Sequence, residues 1–162
     1  MRRVFRAFER KHVATAFTGE GARFFGGRWN SPGVGVVYAS SSLALALLEI
    51  MANARRRIPP GFVFCTIDIP DDARVKTLDA STLPPLWYEA PAPPELQEIG
   101  DAWVRAGTSV ALLVPSAIAR IEENVLLNPE HEDFARLIIG APQGIPVDER
   151  LRPTRGRRRG RR

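Results

Sequence analysis

Residues 26–53 read GGRWNSPGVGVVYASSSLALALLEIMAN. Two glycines lead into a lone arginine, Arg28, in a stretch of turn-forming residues. The apolar run VVYAS at 36–40 predicts a strand that carries Tyr38. Ser41 or Ser42 then caps a helix over about 42–57, because a serine oxygen takes a first-turn amide and the apolar run meets no breaker before Pro59-Pro60. That helix carries one carboxylate, Glu49. A cation, an aromatic ring and an acid thus fall within one compact unit, and such groups suit a phosphorylated nucleotide and a sugar cation.

Working outward, RRVFRAF at 2–8 predicts a first strand with Arg6 near its end. Residues 12–33, rich in glycine and polar residues, read as a long loop. FVFCTIDIP at 62–70 predicts a strand whose alternation puts Val63, Cys65, Ile67 and Ile69 on one face. Residues 76–100 are loop-rich and proline-dense. ELQEIGDAWVRAG at 95–107 predicts a helix closed by Gly107. SVALLVPS at 109–116 predicts a third apolar strand, ending at Pro115-Ser116. VLLNP at 125–129 reads as a short strand, and 131–140 as a short helix or a helix plus strand. Strands and helices do not alternate regularly and no repeat is present, so the order predicts an α+β fold.

A chain of 162 residues suits one domain with a real core. No apolar stretch approaches the roughly 20 residues of a membrane helix, and the charged start MRRVFRAFERKH lacks a signal-peptide core. The expectation is a cytoplasmic protein with no membrane partner. One cysteine excludes an internal disulfide, and Cys65 reads as a small buried hydrophobe. His12 and His131 are far apart and no cluster has metal-ligand spacing, so no metal is expected. The net charge of +5 is misleading. The terminal LRPTRGRRRGRR, residues 151–162, holds seven arginines; without them 16 basic residues face 18 acidic ones. The basic character belongs to a tail. It reads as a disordered end, as a sequence-indifferent contact to nucleic acid, or as a contact to an acidic protein.

Two nucleotide-binding motifs are excluded. A dinucleotide fingerprint needs strand, then glycines, then helix, whereas here the glycines precede the strand. No G-K-[ST] marks a phosphate loop. Physics alone leaves each candidate open. Arg28 is a phosphate fork or a structural ion pair. Glu49 on an apolar helix is exposed, paired with an arginine, or lining a site, since an unpaired buried carboxylate costs several kcal/mol. Tyr38 is a site residue or a strand-end core residue. Ser116 is a site residue or a turn cap, and no G-x-S-x-G marks it as a nucleophile.

GARFFGGRWNSPGVGVVYASSSLALALLE (21–49) resembles the core of the RES-domain family, named for arginine, glutamate and serine. IGDAWVRAGTSVALLVPSAIARIEENVLLNPEHEDF (99–134) is similar to that family's pattern of G-D-x-W, V-P-S, E-x-N and N-P-x-H. The resemblance implies a RES domain over 1–150, with the tail at 151–162 outside the pattern. It implies a twisted mixed β core flanked by helices, similar to ADP-ribosyltransferase toxins. It also implies the toxin of a bacterial type II toxin–antitoxin pair that acts on NAD+, by hydrolysis, phosphorolysis or transfer of ADP-ribose to a protein. By resemblance the active-site residues are Arg28, Tyr38, Glu49 and Ser116, with Arg6 as a second arginine for NAD+. Arg28 and Arg6 would hold the pyrophosphate, Tyr38 would border the nicotinamide, and Glu49 would face the ribose. Ser116 would bond the nicotinamide side or orient Glu49. The implied partner is a small helical Xre-type DNA-binding antitoxin.

Overall fold

The apolar runs become strands of one curled sheet. A computed structural model describes residues 1–54, 58, 60–145 and 148. The chain runs β1 (Arg2–Glu9), α1 (Glu20–Phe25), β2 (Val37–Ser40), α2 (Leu43–Asn53), β3 (Phe62–Ile69), β4 (Val75–Thr77), α3 (Glu95–Ala106), β5 (Ala111–Pro115), β6 (Glu123–Leu127), β7 (Ile138–Ile139) and β8 (Gln143–Gly144). The order across the sheet is β4-β5-β6-β2-β1-β3-β7, with β8 also on β3. Only β4–β5 is parallel; the other pairs are antiparallel. The fold is α+β, as the element order predicts.

The sheet has a seam. β1 and β3 pair along their whole length, from Arg2↔Ile69 to Glu9↔Phe62. β1 and β2 meet at one register pair, Phe5↔Ser40. The strands therefore form two blades joined at a point, β4-β5-β6-β2 on one side and β1-β3-β7 on the other.

Strand alternation builds two cores. One face of the first blade presents Val37, Ala39, Ala111, Leu113, Val125 and Leu127, which pack with Val4, Ile67 and Ile69 of the second. The other face presents Leu112, Val114 and Leu126, on which Trp29 and the α3 residues Leu96 and Trp103 are buried. Val63, Cys65, Ile67 and Ile69 are all buried, as their shared face requires.

The helix signals act as their chemistry predicts. Ser42 is the N-cap of α2 and its side chain accepts from the Leu45 amide at 3.1 Å. Gly107 closes α3 in the left-handed region, φ 56°. The predicted loop at 12–33 is corrected by α1. This short helix buries none of its residues, so it leaves no apolar stripe for a sequence reading to detect. Of the helix predicted over 42–57, residues 55–57 lie outside the described residues, as does the arginine tail at 151–162.

Candidate active site

Glu49 lies in the last turns of α2, half-buried, with its carboxylate turned towards the ends of β5 and β6. Two side chains converge on Oε1. The Ser116 hydroxyl donates to it at 3.2 Å and the Asn124 amide nitrogen at 2.5 Å. Ser116 is fully buried. Its oxygen also accepts from the Ile118 and Ala119 amides, both at 3.1 Å. It is a turn cap and a partner of Glu49 at once. Its single hydroxyl proton is committed to the carboxylate.

The loop before β2 brings Arg28 within electrostatic reach of Glu49. Burial lowers the Arg28 pKa, while the charge of Glu49 opposes that shift. Its two terminal nitrogens donate to the Trp87 carbonyl at 2.7 Å and the Glu89 carbonyl at 3.0 Å. Leu86, just before this segment, has φ 61°, a conformation uncommon for a residue with a side chain. Tyr88 turns the other way and lies beneath Arg120, whose guanidinium carbon is 3.4 Å from the ring centroid. One short segment is thus gripped by two arginines, Arg28 on its backbone and Arg120 on its ring.

Tyr38 is half-buried, and burial raises its phenol well above the ordinary value. The hydroxyl, protonated at neutral pH, accepts from the Trp29 amide at 3.1 Å and donates to Asn30 Oδ1 at 2.7 Å. Asn30 is completely buried, and its amide donates to the Ala22 and Val34 carbonyls, both at 2.9 Å. Tyr38 therefore pins the loop at the two residues that follow Arg28. Gly27 allows this approach, since a Cβ there would lie 2.5 Å from the phenol oxygen. In Tyr38→Phe the Trp29 amide and Asn30 Oδ1 lose their partner while the ring stays. Such a loss costs about 1–3 kcal/mol, and a melting temperature lowered by about 2–12 °C is expected. An unchanged melting temperature would remove this anchor.

α3 holds the same loop from the other side. Gln97 donates to the Gly27 carbonyl at 2.9 Å, and Asp101 accepts from the Ser31 amide at 3.0 Å. Between them Gly100 meets the Trp29 carbonyl so closely that a Cβ would lie 1.8 Å from its oxygen. Trp103 completes the G-D-x-W run by donating to Ser109 at 2.8 Å inside the core. The motif is a clamp that positions Arg28.

Arg6 stands apart. Alternation puts it with Val4 and Phe8, and it pairs across β1–β3 with Cys65. The Phe5↔Ser40 pair puts Tyr38, two residues before Ser40 on β2, on the opposite face. At the seam the Arg6 guanidinium donates to the Tyr38 carbonyl at 2.5 Å. Burial pushes its pKa down to about 10, and its Nε has no hydrogen-bond partner among the described residues. The structure therefore gathers Arg28, Tyr38, Glu49 and Ser116, and links Arg6 to them through one backbone carbonyl. Among the described residues no group of three His, Cys, Asp or Glu could hold a metal, and no helix is long and apolar enough to cross a membrane.

The family model of the RES domain matches residues 3–148. The chain belongs to the RES-domain family. A curated relative named Toxin Res, from Photorhabdus laumondii subsp. laumondii, is 39% identical over 137 residues, 83% of this chain and 86% of the relative. The Prs ADP-ribosylating toxin of Sphingobium sp. is 37% identical over 127 residues, covering 76% and 79%. Among solved structures, the M. tuberculosis MbcT–MbcA toxin–antitoxin complex matches with a TM-score of 0.70 at 21% identity, over 89% of this chain and 84% of that one. At that identity the likeness concerns the fold alone. Within this RES domain, the sequence reading assigned no role to Asn30, Gln97, Gly100, Asp101 or Asn124. Gly100, Asp101 and Asn124 stand as unexplained positions of the G-D-x-W and E-x-N patterns, and Asn30 and Gln97 fall in neither.

Proposed function

We propose that this RES domain cleaves the bond between nicotinamide and ribose in NAD+, and that the chain is the toxin of a toxin–antitoxin pair. The observation that carries the reading is the half-buried Glu49, anchored through one oxygen and lying beside the charge of Arg28. Nicotinamide leaves as a neutral molecule and needs no general acid. The ribose becomes cation-like in the transition state, and a fixed carboxylate stabilises it. The guanidinium of Arg28 suits the pyrophosphate, since it keeps further N–H groups beyond the two given to carbonyls. The Tyr38 ring, its hydroxyl turned inward, suits the flat nicotinamide. The committed hydroxyl of Ser116 favours orientation of Glu49 over direct contact with nicotinamide. The names of the relatives support a toxin. The structural neighbour, itself a toxin–antitoxin complex, supports an antitoxin partner, which we take to be of the Xre type. We take the catalytic domain to span 1–150, with the tail at 151–162 outside it.

A second reading has its own support. The Sphingobium relative is named for ADP-ribosylation of Prs, so the acceptor of ADP-ribose could be a protein in place of water or phosphate. One experiment separates the acceptors. Pure protein is incubated with NAD+, with and without phosphate, and the products are identified by mass spectrometry. Free nicotinamide with ADP-ribose or its 1″-phosphate is expected. Nicotinamide release only when a protein substrate is added would move the assignment to transfer, and no nicotinamide release under either condition would sink both.

A further inference from the structure

The E-x-N motif ends in a side chain that the reaction proposed above leaves unused. Asn124 points into the site from β6, next to Ser40 of β2 across the ladder. Its Oδ1 accepts from the buried Ser40 hydroxyl at 2.8 Å. The carboxylate only accepts, so the amide nitrogen faces Glu49 Oε1 at 2.5 Å, and the oxygen on the other side is held by the Ser40 hydroxyl, which keeps the amide from rotating. With Ser116 on the same oxygen, Oε1 has two donors. Among the described residues no hydrogen bond reaches Oε2. A carboxylate held through one oxygen has its plane set and its second oxygen left for a ligand.

We propose that Asn124, locked by Ser40, is a positioning residue that fixes the Glu49 carboxylate with Oε1 anchored and Oε2 presented to the substrate ribose. Ser40, Asn124 and Glu49 form a relay across three elements, β2, β6 and α2. Ser116 closes it from the end of β5. The inference deepens the NAD+ reading and rests on it for the identity of the substrate; the anchoring of Glu49 itself does not depend on that identity.

The test uses the full chain. Asn124→Asp keeps the shape and replaces the donor with an acceptor, setting two carboxylates against each other. The expected result is a kcat for NAD+ cleavage lowered about 100-fold or more, with the Kd for NAD+ within about threefold of wild type. Ser40→Ala frees the amide to rotate and lowers kcat about five- to tenfold. Ser40→Thr retains the hydroxyl and restores kcat to within about twofold, which a simple packing role would not produce. A wild-type kcat in Asn124→Asp, or equal losses in Ser40→Ala and Ser40→Thr, would overturn the proposal.

A second readout needs no turnover. The Glu49 carboxyl carbon is followed by NMR against pH in wild type and in Asn124→Asp, with Arg28, the charge that faces it, unchanged in both. Two carboxylates sharing one site hold a proton to higher pH, so the midpoint rises in the variant. An unchanged midpoint overturns the contact whatever the activity. A raised midpoint in a protein that leaves NAD+ intact would sink the NAD+ reading and keep the positioning role.

Discussion

Under the proposed function, Glu49→Gln is expected to bind NAD+ with wild-type affinity, to within about threefold, and to turn it over at least about 100-fold more slowly. The substitution keeps the volume and the anchoring. A glutamine carbonyl oxygen can accept from Ser116 and Asn124 as Oε1 does. Its amide nitrogen then falls where Oε2 was, so a neutral group with outward hydrogens faces the developing cation. The lost charge stabilisation in a partly desolvated site is about 3–4 kcal/mol, which is two to three orders of magnitude in rate. The effect falls on kcat, because the ribose carries its charge only in the transition state. Isothermal calorimetry for binding and nicotinamide release for turnover measure the two sides separately. If the variant consumed NAD+ at the wild-type rate, Glu49 would not be the group that meets the cation.

Gly100→Ala is the second large effect, and two physical terms oppose each other in it. Helix propensity favours alanine over glycine by up to about 1 kcal/mol. Sterics oppose it, since the new methyl would lie 1.8 Å from the Trp29 carbonyl oxygen, well inside contact distance and against backbone on both sides. Steric cost wins, because neither α3 nor the loop can move alone. Moving either one breaks the Asp101–Ser31 and Gln97–Gly27 hydrogen bonds. A net loss of about 3 kcal/mol is expected, seen as a melting temperature lowered by about 6–12 °C. The Arg28 loop is displaced with it, so the KM for NAD+ rises in the protein that remains folded. A melting temperature equal to or above wild type would show that propensity dominates and that the close approach is not required.

The fold was legible where local chemistry decides it. β2, β3 and β5 are largely apolar runs, β1 sets apolar residues among charged ones, and α2 and α3 carry a serine cap and a glycine stop whose geometry the structure reproduces. What escaped is short or unburied. α1 buries nothing, and β4 and β8 are pieces of two or three exposed residues defined by their neighbours, while the helix-plus-strand reading of 131–140 holds in the turn at Glu132–Arg136 and in β7. In the site, the residue types of Arg28, Tyr38, Glu49 and Ser116 stood out, while their connections did not. Ser116 and Asn124 reach Glu49 across 67 and 75 residues of chain, and no periodicity records such a contact. Asp101 and Gln97 grip the Arg28 loop from 70 residues away. For Arg6 the sequence showed a charge; the seam between β1 and β2 decides where it points.

The order in which the site is assembled has a consequence for synthesis. Arg28 and Glu49 leave the ribosome early, but the clamp that places Arg28 comes with α3, and the anchors of Glu49 come with Ser116 and Asn124. A nascent chain that ends before α3 has Arg28 and Glu49 without the clamp or the anchors, and one that ends before β6 still lacks Asn124. Catalytic competence therefore begins only when most of the chain has been translated.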